Sequence, residues 1–138
     1  MASYLRNFAI VVIALLLGGF FLGRCAHAID RGQNTDPAIK EWFENLKQPE
    51  NPVASCCGES DGYWCEQLHT RDGKNYCNIT DDRVIPGRTL APLGMEIEIP
   101  TGKMMDGHQS NGNPTGHSIV FLSSGLSYVY CFIMDSGI

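Results

Sequence analysis

Six cysteines and the stretch Met104-Met105-Asp106-Gly107-His108 carry most of the chemistry this chain could offer. Cys56, Cys57, Cys65, Cys77 and Cys131 lie in the C-terminal two thirds, and Cys25 stands apart near the N-terminus. The chain has no C-x-x-C. Adjacent cysteines such as Cys56-Cys57 also lack the spacing that zinc sites and thioredoxin-like redox sites use. Structural disulfides are therefore the expected role, each contributing about 2–4 kcal/mol to a small exported domain. A metal or thiol-redox use of Cys56-Cys57 is the alternative. The Met104, Met105 and His108 side chains are soft ligands that would suit Cu(I). Neighbouring methionines on a strand point to opposite sides, however, so a loop histidine beside packed methionines is the plainer reading.

No catalytic constellation emerges. The chain lacks H-E-x-x-H and a glycine-rich phosphate loop ahead of a helix, short motifs that carry hydrolytic or phosphate chemistry. The sequence thus predicts no catalytic residue and no cofactor, and favours a protein that is not an enzyme.

These residues need elements to position them. Asp36-Pro37 reads as a helix start, with Asp at the cap and Pro in the first turn. Ile39, Trp42, Phe43 and Leu46 follow at i, i+3, i+4 and i+7 and give a helix over 37–48 with one apolar stripe. Such a stripe is normally core; Trp42 and Phe43 are the candidates for a partner anchor if it is not. Pro49 ends this helix and Pro52 stiffens the linker after it. From residue 56 the pattern turns to short strands. Tyr63 to Thr70 and Asn75 to Thr80 flank Asp72-Gly73, a strong hairpin signal. Val84-Ile85, Met95 to Ile99, His117 to Ser123 and Leu126 to Met134 are further strand candidates. Asn111 to Gly116 is dense in turn residues. The expected fold is α+β or mainly β: one short amphipathic helix on a small antiparallel sheet or open barrel of five to six strands, supported by disulfides.

The hairpin also constrains the cysteines. A two-residue turn at Asp72-Gly73 sets Leu68 opposite Cys77 and Cys65 opposite Thr80. A Cys65–Cys77 bond would then need a bulge or another turn, because disulfide geometry tolerates little misplacement. The sequence leaves the pairing open, and favours Cys56 or Cys57 bonded to a strand cysteine, with Cys131 as the long-range partner of another.

The N-terminus has its own logic. Arg6 precedes sixteen apolar residues, Phe8 to Gly23, and Ala26-His27-Ala28 offers a signal peptidase site. Residues 1–28 are expected to be a signal peptide cleaved after Ala28. The alternative is a retained anchor, for which the run is slightly short of the roughly 20 residues a span requires. A lipoprotein at Cys25 is disfavoured by Arg24, where a small residue is needed. Residues 29–55 then form a flexible lead, the helix and a proline-containing linker, and 56–138 the cysteine-containing β domain.

Cleavage would lower Lys+Arg from 10 to 8 against 15 Asp+Glu, taking the formal charge from −5 to −7. A chain this acidic lacks the basic footprint that nucleic acid or an anionic membrane surface demands. Any membrane contact would run through residues 8–23. Cleavage would also leave five cysteines, an odd number, so one thiol would stay unpaired or pair outside the chain. Asp81-Asp82 is the one adjacent acidic pair and is read as part of a solvated surface.

Trp42-Phe43 with Leu46 and Pro49, Cys56-Cys57 with Asp61, Asn113-Pro114-Thr115-Gly116 and Cys131-Phe132 occur here in an order that resembles a group of small exported proteins of alphaproteobacteria. The resemblance spans roughly residues 42–138. It implies export and a compact β domain, and brings no activity with it. Two departures stand out: the group carries cysteines where this chain has Gly62 and Phe121 or its neighbour. The resemblance implies that those two were a bonded pair, lost together, with Cys65 and Cys77 as this chain's replacement. The expectation from the whole sequence is an exported module that binds a protein or an envelope component, in the periplasm or outside the cell. With residues 8–23 retained, it would be an accessory subunit anchored in the inner membrane. The alternative is a periplasmic copper-handling or thiol-redox protein.

Overall fold

A computed structural model describes residues 36–105 and 112–135; the expected signal peptide, residues 1–28, and His108 lie outside them. The first element is α1, Pro37–Asn45. Its cap is the predicted one: the Asp36 carboxylate accepts from Ala38 N–H at 2.9 Å, and Pro37 opens the helix. The helix stops three residues earlier than its stripe suggested. Pro49 disfavours helical backbone at Gln48, and the chain turns instead into a hairpin of β1 (Lys47–Gln48) and β2 (Asn51–Ser55). The proline-containing linker is therefore a small two-stranded sheet.

The main sheet holds β3 (Gly62–Arg71), β4 (Lys74–Ile79), β5 (Glu96–Ile99), β6 (Met104–Met105), β7 (Ile119–Leu122) and β8 (Val129–Ile133), in the order β5-β4-β3-β7-β8-β6. The two edge strands, β5 and β6, are consecutive in sequence and joined through the 3-10 turn Thr101–Lys103. So short a connection between opposite edges forces the sheet to curl into a half-barrel. The amide of Asn75 on β4 reaches across to the Met104 sulfur at 3.3 Å. One pair departs from the antiparallel expectation: β6 runs parallel to β8, so the sheet is mixed. Val84-Ile85 is not a strand but part of the long connection between β4 and β5.

The hairpin β3–β4 explains one disulfide. Asp72 and Gly73 both have positive φ, 51° and 74°, as a type I′ turn requires. The register leaving the turn is Arg71↔Lys74, Thr70↔Asn75 and His69↔Tyr76. A bulge follows, with Gln67 at φ 55°, and the register resumes at Glu66↔Asn78 and Cys65↔Ile79. An odd shift moves a strand's side chains to the opposite face. It brings Cys65 onto the same inner face as Cys77, and the two are bonded across a Cα–Cα distance of 5.5 Å.

Two packed layers result. Inside the curl lie Tyr63, Cys65, Cys77, Ile79, Ile97, Ile99, Val120, Leu122, Val129 and Phe132. On the outer face Trp42, Phe43 and Leu46 of the helix region pack on Ile119, Phe121, Cys131, Ile133 and Met105. Strand β7 is buried on both sides because its residues alternate between these layers. The Cys56–Cys131 bond ties the segment after the β1–β2 hairpin to β8 within the outer layer. Gly62 stands opposite Phe121, whose ring would be 3.3 Å from any Cβ at residue 62. The buried Lys103 pairs with the exposed Glu50 at 2.6 Å and holds the β1–β2 turn against the 3-10 turn. The Lys103 ammonium also donates to the Tyr128 hydroxyl at 3.1 Å. The buried disulfides are those of a protein that matures in an oxidising, exported environment. Among the described residues no helix is long and apolar enough to cross a membrane.

Candidate functional site

The connection between β4 and β5, residues 80–95, is long, and one carboxylate organises it. The Asp81 side chain is fully buried. It accepts from Arg83 N–H at 3.0 Å, Arg83 Nε at 2.9 Å and Arg83 NH2 at 2.7 Å. It also accepts from Arg88 NH1 at 2.9 Å and from the backbone N–H of Trp64 on β3 at 3.3 Å. Burial alone would raise its pKa, but the hydrogen bonds from Arg83 and Arg88 and the charge of Arg83 hold it well below the usual carboxylate range.

Arg88 extends the clasp. Its guanidinium, only 3 % exposed, donates to the carbonyls of Gly62 and Arg83 at 2.9 and 2.5 Å and lies over the Tyr63 ring. The Tyr63 hydroxyl donates to the carbonyl of Thr89 at 2.7 Å, and Thr89 in turn donates to the carbonyl of Ser124. Burial, only partly offset by Arg88, raises the Tyr63 pKa, so the phenol remains a donor. The turn at Pro86-Gly87 closes with Arg88 N–H on the Ile85 carbonyl, and the end of the connection returns to β4 through Gly94 N–H on the Ile79 carbonyl. Ile85 is buried beneath this frame. Val84, Leu90 and Leu93 are not: they are 79 %, 65 % and 64 % exposed.

A second cluster adjoins the first through Arg83. Its guanidinium lies 4.1 Å from the Trp64 ring centroid. The Trp64 ring stacks on His117 at 3.9 Å with an interplanar angle of 18°. His117 Nδ1 pairs with the Glu66 carboxylate at 2.8 Å. The Asn-Pro-Thr-Gly turn places this histidine. The Asn113 side-chain oxygen Oδ1 accepts from Thr115 N–H and from its hydroxyl, while the side-chain amide of Asn113 donates to the His117 carbonyl at 2.7 Å.

A carboxylate–imidazole pair can move protons, but catalysis needs a reacting group within hydrogen-bond reach of it. The hydroxyls nearest in sequence are already engaged: Thr115 with Asn113 and His117, and Ser118 with Asp135 N–H. Glu66 and His117 both stand at the surface, more than a third exposed.

The residues singled out from sequence fall elsewhere. Cys56 is bonded to Cys131 and Cys65 to Cys77, all four with no exposed surface. Cys57 is also disulfide-bonded. Trp42 and Phe43, the candidate partner anchors, are buried in the outer layer in edge-to-face contact with each other. They are core because the helix is too short to be stable without burying its stripe. Met104 packs on the inner layer, whereas Met105 belongs to the outer one, 3.8 Å from the Cys56 sulfur. The two thioethers thus diverge, and His108 lies outside the described residues. Among the described residues no three His, Cys, Asp or Glu side chains gather where they could hold a metal ion. Asp81, read as half of a solvated acidic pair, is instead the buried centre of the network. Arg83, Arg88, Trp64, Glu66 and His117 went unremarked as a group. The usable signal was Asp81-x-Arg83, the local spacing at which an aspartate can accept from the backbone two residues on. No protein family, curated protein or solved structure matches the chain.

Proposed function

We propose that this chain is an exported, non-enzymatic binding module, working in the periplasm or outside the cell, whose 80–95 connection docks a protein or another envelope component. The observation that carries this reading is the contrast within that connection. Its backbone is stapled by the buried Asp81–Arg83–Arg88 network, yet Val84, Leu90 and Leu93 point to water. Ordering a loop in advance removes an entropy cost from binding, and exposed apolar side chains on a rigid loop are what a contact surface uses. The stacked Arg83, Trp64 and His117 with Glu66 supply a polar, aromatic flank of the kind found around interface cores. Copper handling or thiol exchange has less support, because the Met104 and Met105 sulfurs diverge and the described cysteines are bonded.

Site-directed photocrosslinking in the producing cells tests this. A photoreactive residue at Leu90 or Leu93 should give one discrete adduct of defined mass. The same residue at Lys74, on the distal hairpin, should give none. Equal labelling at all three positions, or none at Leu90 and Leu93, would remove the proposal.

A further inference from the structure

We infer that the partner of residues 80–95 is a protein segment presenting aliphatic side chains together with a lysine or arginine, the basic group meeting Asp82, an inference that rests on the docking role proposed for those residues. The connection carries four charged side chains: Asp81, Asp82, Arg83 and Arg88. Three of them are committed within the fold. Asp81 holds Arg83 at 2.7 Å and Arg88 at 2.9 Å, and Arg83 also lies 3.9 Å from Glu59. On the distal hairpin Arg71 is held by Glu96 and Lys74 by Glu98. Every described arginine is therefore already matched to a carboxylate. Asp82 is different: it is exposed and has no ion pair among the described residues.

Asp82 also stands beside the apolar contact side chains. It precedes Val84 by two residues, so their Cα atoms are at most about 7 Å apart. The surface offered is thus aliphatic, with one unanswered carboxylate at its margin. Burying Val84, Leu90 and Leu93 supplies affinity. A cation set against Asp82 adds specificity and speeds association.

Other occupants meet that charge badly. A second copy docked through a twofold contact would set the patch against itself, in a chain with 15 Asp+Glu against 10 Lys+Arg. Nucleic acid, an anionic lipid headgroup or an acidic peptide would need a free cation, and Arg83 and Arg88 are taken. A neutral bilayer would draw the Asp82 carboxylate from water without a counter-charge.

The test uses the full chain, exported in a bacterial host, purified oxidised and immobilised, with a random peptide library displayed on phage as the probe. Selected peptides are expected to combine aliphatic residues with Lys or Arg. Remade as free peptides, they should lose binding to Leu90→Ser/Leu93→Ser. They should bind Asp82→Lys about tenfold more weakly than the wild type, because an attraction becomes a repulsion. Exchanging their basic residue for Glu should restore binding to Asp82→Lys and weaken binding to the wild type. Added salt should weaken wild-type binding more than Asp82→Asn binding. All these substitutions fall on exposed side chains, where the fold tolerates change. Peptides that need Leu90 and Leu93 yet bind Asp82→Lys as tightly as the wild type overturn the inference and leave the docking role standing, as does a selection of acidic peptides. Peptides indifferent to Leu90→Ser/Leu93→Ser remove both. Dimerisation, or flotation with phosphatidylcholine vesicles, that is abolished by Leu90→Ser/Leu93→Ser assigns the surface to a second copy or to a bilayer and overturns the inference. An empty selection overturns it too, and crosslinking at Leu90 and Leu93 then judges the docking role separately.

Discussion

Asp81→Asn removes one charge from a buried network while keeping nearly the same shape, which makes it a sharp test of how the 80–95 connection is held. Five hydrogen bonds converge on the two Asp81 oxygens, four of them from Arg83 and Arg88. An asparagine has one acceptor oxygen, and its amide would face guanidinium groups that also only donate. Arg88, buried and matched to the carboxylate, would keep the carbonyls of Gly62 and Arg83 but lose its counter-charge. Breaking a buried pair from one side costs about 3–5 kcal/mol. At about 4 °C per kcal/mol, Tm should fall by roughly 12–20 °C. Asp82→Asn, one residue on and exposed, should change it by about 0.5 kcal/mol or less.

The pH dependence separates this account from a generic packing defect. The folded chain holds the Asp81 pKa below the usual carboxylate range, whereas the unfolded chain titrates near 4. Above about pH 4 the network's stabilisation is fully present; as pH falls further the unfolded state takes up the proton first and stability drains away. The wild type should therefore lose stability steeply below about pH 4, and Asp81→Asn should show a flatter profile there. Urea unfolding followed by the fluorescence of Trp42 and Trp64, at pH 7 and at steps down to pH 2.5, reads both quantities. A loss of under about 1 kcal/mol at pH 7, or an unchanged acid slope, would refute the assignment of Asp81 as the organising charge.

Phe43→Ala opens a hole between Trp42 and Phe121, at ring distances of 4.9 and 6.0 Å for the existing contacts; two-layer packing predicts a loss of about 3–5 kcal/mol by the same urea assay. Removing Cys56–Cys131 or Cys65–Cys77 should cost unequally, because the first spans 75 residues and the second only 12. On the chain-entropy account the double alanine variants should lose about 4.5 and about 3 kcal/mol, and the reverse order would argue that native-state strain outweighs loop length. Gly73→Ala should lose about 1 kcal/mol with no change in the far-UV spectrum, since its φ of 74° is strained for any residue with a Cβ although nothing crowds that position.

The fold was legible where one local rule governed a segment. Asp36-Pro37 marked the helix start because capping is decided within a few residues, and Asp72-Gly73 marked the hairpin because its turn demands positive φ at both positions. Alternation at Met95 to Ile99 marked β5, with Ile97 and Ile99 inside and Glu96 and Glu98 outside. The Gln67 bulge was not legible. Nothing in the composition of Tyr63 to Thr70 signals where a strand gains a residue, yet that residue decides whether Cys65 and Cys77 share a face. Nor was the parallel β6–β8 pair, since two residues give no periodicity to read. The curl that brings Met104 and Met105 beside β8 is a property of strand order, not of any segment.

The candidate site was hidden for a related reason. Asp81 lies in a polar stretch, and a polar stretch is usually solvated. What buries it is Arg88, seven residues on, folded back under Tyr63 from another strand. Each charge in that group looks like surface on its own and becomes core only in company, so its burial is a collective fact that no window along the chain contains. The apolar side chains Val84, Leu90 and Leu93 show the inverse arrangement: they are left outside while the charged network occupies interior positions. The connection thus turns Asp81 and Arg88 inward beside Ile85 and leaves Val84, Leu90 and Leu93 outward. Buried ion pairs are a weak source of net stability, and the binding role proposed for residues 80–95 would supply a separate reason to keep the arrangement.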